Sequence, residues 1–338
     1  DPCMTGITLN NAKFPFNLKD VRWALTLSID IVEYMGIAFD GASVMGVLHI
    51  PPTPVYQEWY YKPMEGWLEN FALDIEVNGE SFKPYDPSAP LRLVEYAKSR
   101  GYKVPEDPEK VREIFGFGWW KYAPDVAEQL LLRNGFKRDA NGKWLLPDGT
   151  PWKITIITHP SSAHPQNRNA FAAAQEWRQF GIEVEVRPDE MQNTITNYGE
   201  FEASGVWPAN APWGGHPDLH RVLRVWHSKY WKPIGEPCIA ADGGAQSRWK
   251  NEKLDKIIDE MEKLSWDDPK NVELGIEGLK IAVEEMPTIE TLIYPGVVAW
   301  DEYYWTNYPG AENPYCQPYH HWPNFKYMLP FLEPTGRK

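Results

Sequence analysis

The chain of 338 residues is longer than a usual single domain, so its length supports either one large α/β domain with an appendage or two domains. Hydrophobic content of 43% and charged content of 24% are those of a globular protein, and no apolar run is long enough to span a bilayer. A net charge of -13 argues against nucleic acid and anionic membrane surfaces, whose phosphates require clustered Lys and Arg, and leaves neutral or cationic ligands open.

In chain order, Ile7 to Asn11 reads as a strand, followed by a loop through Pro15. A helix follows, with Asp20 as its cap and Val21, Ala24, Leu25, Ser28, Ile29 and Val32 as its buried stripe. Residues 51–117 are rich in proline and aromatics and read as an elaboration, with helices over Leu91–Ser99 and Pro108–Phe115. Pro124 opens a helix over Asp125–Asn134 that Gly135 stops, and the turns at Asp139–Gly142 and Pro147–Gly149 predict a hairpin. Trp152–Thr158, Gln166–Phe180 and Ile182–Arg187 alternate strand, helix and strand, as in a right-handed βαβ unit. A short helix over 191–199 and a strand over Phe201–Val206 come next. Asn251–Leu264 and Asn271–Glu285 are amphipathic helices, Thr288–Tyr294 is a strand, and the tail from Trp300 is irregular.

The 17 tryptophans are the unusual count, and most of them are expected in the core, where an indole is a large apolar body. Trp226 is read as one of these, whereas Trp59, Tyr60, Tyr61 and Trp67 are candidates to line a cleft entrance. The exception that points to function is Gly205-Val206-Trp207-Pro208-Ala209-Asn210, with Trp213 close behind. Indole faces beside a neutral carboxamide suit a polar, uncharged ligand such as a sugar. The strand that leads into this segment supports the placement, because ligands of parallel sheets sit outside strand ends.

Other constellations carry less. His216, His220, His320 and His321 lack a third ligand at helical spacing, so no metal and no cofactor are expected. Glu183 and Glu185 share a strand face as glycosidase carboxylates do, but without the apolar surroundings that raise an acid's pKa they read as a solvated face. Ser161, Ser162 and His164 show no nucleophile-elbow pattern, and nothing else suggests an enzyme. Cys3, Cys238 and Cys316 are spaced too far apart for a zinc or iron–sulfur motif. In an oxidising compartment Cys238 and Cys316 could pair, or Cys3 could pair with sequence outside this chain. The start of the chain shows no signal-peptide pattern.

Four blocks in this order resemble the extracellular solute-binding proteins of ABC importers, in the dipeptide- and oligopeptide-binding family, known as family 5. The first block is Asn10, Pro15-Phe16, Val21-Arg22, Ala24-Leu25, Ile29-Asp30 and Gly41. The second is Tyr122-Ala123-Pro124, Ala127, Leu130-Leu131 and Gly135-Phe136, then Asp148-Gly149-Thr150-Pro151. Trp177, Gly181-Ile182-Glu183-Val184 and Phe201-Glu202 form the third, and Asn251-Glu252, Asp255, Asp268 and Pro287 the fourth. The resemblance implies the C-terminal lobe of a two-lobe periplasmic-binding-protein fold: α/β, with a mixed, largely parallel sheet flanked by helices. Residues 1–294 would form that lobe, with 51–117 variable within the family, and 295–338 would return to a first lobe outside this chain.

The resemblance also implies ligand contacts at Gly205, Trp207, Asn210 and Trp213, an ABC permease as partner, and a periplasmic or extracellular location, with a lipid-tethered form included. Peptide-binding members usually carry an aspartate, which pairs with the peptide's α-ammonium, where this chain has Asn210. Without that carboxylate a buried ammonium loses several kcal/mol of pairing, on the order of the penalty for an unpaired buried charge. The expected ligand is therefore a neutral oligosaccharide, with an oligopeptide as the first alternative and a secreted glycoside hydrolase or lectin-like module as a more distant one.

Overall fold

In this computed structural model the β-branched runs pair into one mixed sheet, and the helical stripes turn inward to cover it. The structure describes residues 4–206, 218–238, 245–293, 298–310, 312–313, 315–316 and 325–337. The chain divides into two compact units, Pro2–Tyr294 and Pro295–Lys338. The principal elements of the larger unit begin with β1 (Met4–Leu9), α1 (Lys19–Leu27), α2 (Ile31–Phe39), α3 (Lys62–Asn70), α4 (Ala89–Ser99), α5 (Pro108–Phe115) and α6 (Pro124–Arg133). They continue with β2 (Lys153–Thr158), α7 (Pro165–Gln179), β3 (Glu183–Pro188), α8 (Gln192–Tyr198), β4 (Ala203–Val206), α9 (Glu252–Met261), α10 (Pro269–Glu285) and β5 (Thr288–Ile293).

The strand order is β5-β1-β4-β2-β3. β2 runs parallel to β3 and to β4, whereas β1 is antiparallel to both β4 and β5. Every residue of β1 is buried, because this strand lies inside the sheet with helices packed on it. Helix α7 lies along β1, β2, β3 and β4, and α2 packs on its outer side. Chain close-packing is tightest at Gly6, where an added Cβ would sit 2.0 Å from the Ile289 carbonyl oxygen at the β1–β5 bulge.

Most expected elements are present within one to three residues of their predicted ends. The single helix expected from Asp20 onward is two. Asp30 adopts an extended backbone and its Oδ1 accepts the Val32 N–H at 2.9 Å, so it caps a new helix, α2, after α1 stops at Leu27. Asp20 is not a cap: it lies in the first turn of α1 and receives the Arg133 Nε–H at 2.6 Å and the Asn134 amide at 2.7 Å. The elaboration at 51–117 contributes α3, α4 and α5, and α3 is preceded by a helical turn (Pro54–Tyr56) and a wide π-helical turn (Gln57–Tyr61).

Seven tryptophans, Trp23, Trp119, Trp120, Trp144, Trp152, Trp177 and Trp226, are almost completely buried. Each removes enough apolar surface to contribute roughly 4–6 kcal/mol of transfer free energy as an upper bound. Several are also pinned by their N–H groups: Trp23 donates to Glu284 O at 3.0 Å, Trp119 to Glu290 O at 3.1 Å and Trp177 to Leu25 O at 3.0 Å. Tyr60 and Tyr61 are likewise core residues rather than entrance residues, Tyr61 donating to Ile50 O at 2.8 Å. Trp59 and Trp67 are half-buried, and Trp59 stacks on Trp266 at 5.8 Å. The Cys238 thiol is buried and directed at Tyr230 O (3.1 Å) and Ala245 O (3.2 Å).

The smaller unit is less irregular than its composition suggests. Trp305 and Thr306 pair with Pro334 and Glu333 in a short antiparallel ladder, Phe325–Met328 is one helical turn, and Trp300 stacks on Tyr308 at 4.6 Å.

Candidate functional site

The sheet has one topological switch point. From β2 the chain crosses through α7 to β3 on one side, then returns through α8 to place β4 on the other side of β2. The carboxyl ends of β2 and β4 are therefore the position where open α/β sheets take their ligands. Thr158 ends β2, and Gly205 lies at the end of β4, opposite Ile7 of β1.

Gly205 has to be glycine here. An added Cβ would lie 2.2 Å from the Gln166 carbonyl oxygen, in the first turn of α7, and 3.2 Å from Thr158 Oγ1. The Gly205 carbonyl accepts the Gln192 Nε2–H at 2.8 Å and the Ser204 hydroxyl at 3.1 Å, and the same Gln192 amide donates to Ser204 Oγ at 3.0 Å. At the carboxyl end of β2, Thr158 Oγ1 is buried without a hydrogen-bond partner among the described residues.

In the turn from β2 into α7, Ser162 O accepts the Arg168 Nε–H at 3.2 Å. His159 and His164 stack with ring centres 4.1 Å apart, and their Nδ1 atoms accept the Ser161 and Gln166 N–H groups at 3.1 and 3.4 Å. Burial, with a smaller contribution from His159, pushes the His164 pKa down to about 4, so this imidazole is neutral at physiological pH. Pro165 supplies no N–H at the first helical position, and the Gln166 donor is taken by His164. The α7 terminus thus offers little to an anion. At the end of β3, Arg187 and Asp189 face each other at 3.6 Å.

Of the residues singled out from the sequence, Gly205 occupies this strand end, while Trp207, Asn210 and Trp213 lie outside the described residues, as do His216, His320 and His321. Trp226 is core, edge-on to Trp249 at 5.5 Å and to His49 at 4.9 Å. Glu183 and Glu185 are exposed on β3 and share Lys153, at 3.8 and 2.9 Å. Among the described residues no three His, Cys, Asp or Glu side chains gather as a metal site would require. Thr158, Gln166 and Gln192 were not singled out; a strand-ending threonine and glutamines in first helical turns carry no local signal that separates them from solvated positions.

A depression of about 450 Å³ lies among Trp144, Trp152, Ile182 and Val184. It opens at the amino ends of β2 and β3, away from the switch point. No helix among the described residues is long and apolar enough to cross a membrane.

Solved structures share this arrangement. A periplasmic oligopeptide-binding protein of an ABC transporter from Thermotoga maritima, in complex with mannohexaose, superposes with a TM-score of 0.66 at 19% identity, covering 99% of this chain and 53% of its own. The oligopeptide-binding protein AppA from Bacillus subtilis, in complex with a nonapeptide, gives 0.55 at 18% identity, covering 87% and 45%. The binding protein DppA from Helicobacter pylori, in complex with the peptide STSA, gives 0.53 at 17% identity, covering 86% and 42%. The chain spans about half the length of these proteins. No curated protein matches it. Residues 1–225 match the family of bacterial extracellular solute-binding proteins, family 5, middle region, and with two thirds of its length so matched the chain belongs to that family.

Proposed function

We propose that this chain is a ligand-binding lobe of the substrate-binding component of an ABC importer, and that it captures a neutral oligosaccharide for delivery to a membrane permease. Residues 1–294 act as the C-terminal lobe, 295–338 return to a first lobe outside this chain, and ligand-biased closure of the two lobes retains the sugar. The protein works outside the cytoplasm, as its family does. The ligand contacts are Gly205, Trp207, Asn210 and Trp213: indole faces stack on sugar rings, while the carboxamide and main-chain groups near Gly205 read the hydroxyls.

What supports the reading is the sequence that follows β4, where Trp207 and Trp213 offer indole faces and Asn210 a carboxamide. At the strand end itself the described residues Thr158, Gln166, Gln192, Ser204 and Gly205 are buried and uncharged. Asn210 extends the same chemistry in the sequence that follows. The Thermotoga maritima relative, which covers 99% of this chain, was solved with mannohexaose and adds support from a neighbour. Peptide complexes among the other neighbours keep an oligopeptide as the second reading.

Isothermal titration calorimetry with mannohexaose, cellohexaose and a tetrapeptide separates the two. A saturable heat with one of the sugars and none with the peptide is expected. Peptide binding with both sugars silent would overturn the oligosaccharide assignment.

A further inference from the structure

We propose that His49 and Glu290 form a buried lock that holds a single proton, and that this proton fastens the root of the 51–117 elaboration to the edge of the sheet. Neither residue belongs to the proposed ligand site, so the inference stands apart from the sugar assignment.

The chain reaches the elaboration through residues 43–50, which run beside β5. Backbone bonds tie only the first half of this segment to the strand: the Ile293 N–H donates to Val44 O at 2.8 Å, and the Gly46 N–H to Thr291 O at 3.2 Å. Beyond Gly46 no backbone bond to β5 continues among the described residues. Val47, Leu48 and Ile50 are buried there, but apolar burial is not directional. His49 supplies the directional contact. Its Nδ1 lies 3.0 Å from Glu290 Oε1 and 3.2 Å from Thr288 Oγ1, both on β5, and its Nε2 lies 3.3 Å from Ala282 O on α10.

The proton count follows from what each atom can do. A carbonyl oxygen only accepts, so Nε2 carries a hydrogen and donates to Ala282 O. Nδ1 then faces a carboxyl oxygen at 3.0 Å, and two lone pairs meet at that distance only with a proton between them. The Thr288 hydroxyl does not supply it, because its one hydrogen goes to Oε1 at 2.8 Å. A further proton would have to sit on Glu290 Oε2, which is buried without a partner, and would leave a net positive charge in the core. One proton is therefore the count that suits the pair, and it belongs to the pair rather than to either residue. Burial holds the Glu290 carboxyl above its ordinary range, with His49 and Thr288 opposing. The ionisable groups that feel Glu290 from neighbouring elements are Tyr34 of α2 and Tyr61 ahead of α3, phenols that burial keeps neutral. Trp226 stands edge-on to the imidazole at 4.9 Å.

The test compares urea unfolding of the wild type and Glu290→Gln from pH 5 to 8. In the variant the carboxamide donates to Nδ1 in the proton's place, so the folded pair holds no proton that titrates. Unfolded, both chains carry the same histidine, which releases its proton near pH 6.5, and the wild-type glutamate is already ionised above about pH 5. The folded wild type thus keeps one proton that the folded variant lacks. The folding equilibrium constant of the variant relative to wild type is expected to rise about tenfold per pH unit, and Glu176 cancels in the comparison. A ratio that does not change with pH would overturn the inference. Should Glu290→Gln fail to fold, the nitrogen-15 signals of the His49 ring in the wild type decide alone, assigned through their contacts with the Trp226 ring. They are expected to stay constant from pH 5 to 8, and a midpoint near pH 6.5 would overturn the lock. Hydrogen exchange locates the effect. Between pH 6 and 8 the protection factors of the Gly46 and Ile293 amides are expected to fall more than tenfold in the wild type, ahead of those in β2 and β3, whereas an equal loss across the sheet would overturn the fastening.

Discussion

Glu176 is 2% exposed, and only one of its carboxylate oxygens is satisfied: Oε2 accepts the Asp30 N–H at 3.0 Å, while Oε1 has no partner. Burial raises its pKa most, Glu33 and Asp30 add to the shift, the Asp30 N–H bond opposes it, and the result is about 7 against an ordinary 4.5. The sign of the linkage follows directly. Between those two values the folded state holds a proton that the unfolded state has released, so stability is greatest below the unfolded pKa and declines as pH rises through the folded one. The shift corresponds to about 3 kcal/mol at pH 8. Glu176→Gln keeps the acceptor for Asp30 and cannot ionise. Urea unfolding is expected to find it more stable than wild type by about 3 kcal/mol at pH 8 and equal to wild type near pH 4.5. A variant as pH-dependent as the parent would mean that another group carries the slope.

At the scale of elements, the same neighbourhood shows how sequence pattern and structure part company. The apolar stripe from Val21 to Val32 runs at one period through what are two helices, because hydrophobic spacing records which face is buried and is silent about where the backbone breaks. The break belongs to Asp30, whose Oδ1 caps α2 while Arg92 Nη1 contacts both carboxylate oxygens, at 3.1 and 3.0 Å. Asp30→Ala is expected to cost about 1–2 kcal/mol in chemical denaturation, mostly the cap. Asp30→Asn keeps an acceptor for the Val32 N–H and loses only a half-exposed ion pair, worth under about 1 kcal/mol. Equal losses in the two variants would assign the break to the ion pair instead. The parallel unit β2–α7–β3 was legible throughout, since its alternating strands, its helix and the turn at Gly181 all agree. Of the candidate site, Gly205 and its aromatic neighbours stand out in the sequence, whereas the packing of Gln192 and Thr158 against Gly205 follows from the strand order, a non-local property that no short window contains.

For the whole molecule, the net charge of -13 and the proposed neutral ligand make a joint prediction about salt. A ligand held by an ion pair, or drawn in by the long-range field of an acidic protein, loses affinity as the Debye length shrinks from about 10 Å at 0.1 M to about 3 Å at 1 M. A neutral sugar held by stacking and by amide and hydroxyl hydrogen bonds has no such dependence, because neither contact changes the charge of the complex. The dissociation constant for mannohexaose is therefore expected to vary by less than about twofold over that range of sodium chloride, where a cationic peptide would weaken by on the order of tenfold. The pH profile should agree: His164 is already neutral above about pH 4, so affinity should be flat from pH 5 to 8. A steep salt slope together with a flat pH profile would place a permanent charge in the crevice. A flat salt slope together with a titration near pH 6 would point to a histidine that binds in its protonated form. Either result would count against the neutral-ligand reading while leaving the strand-end geometry as it is.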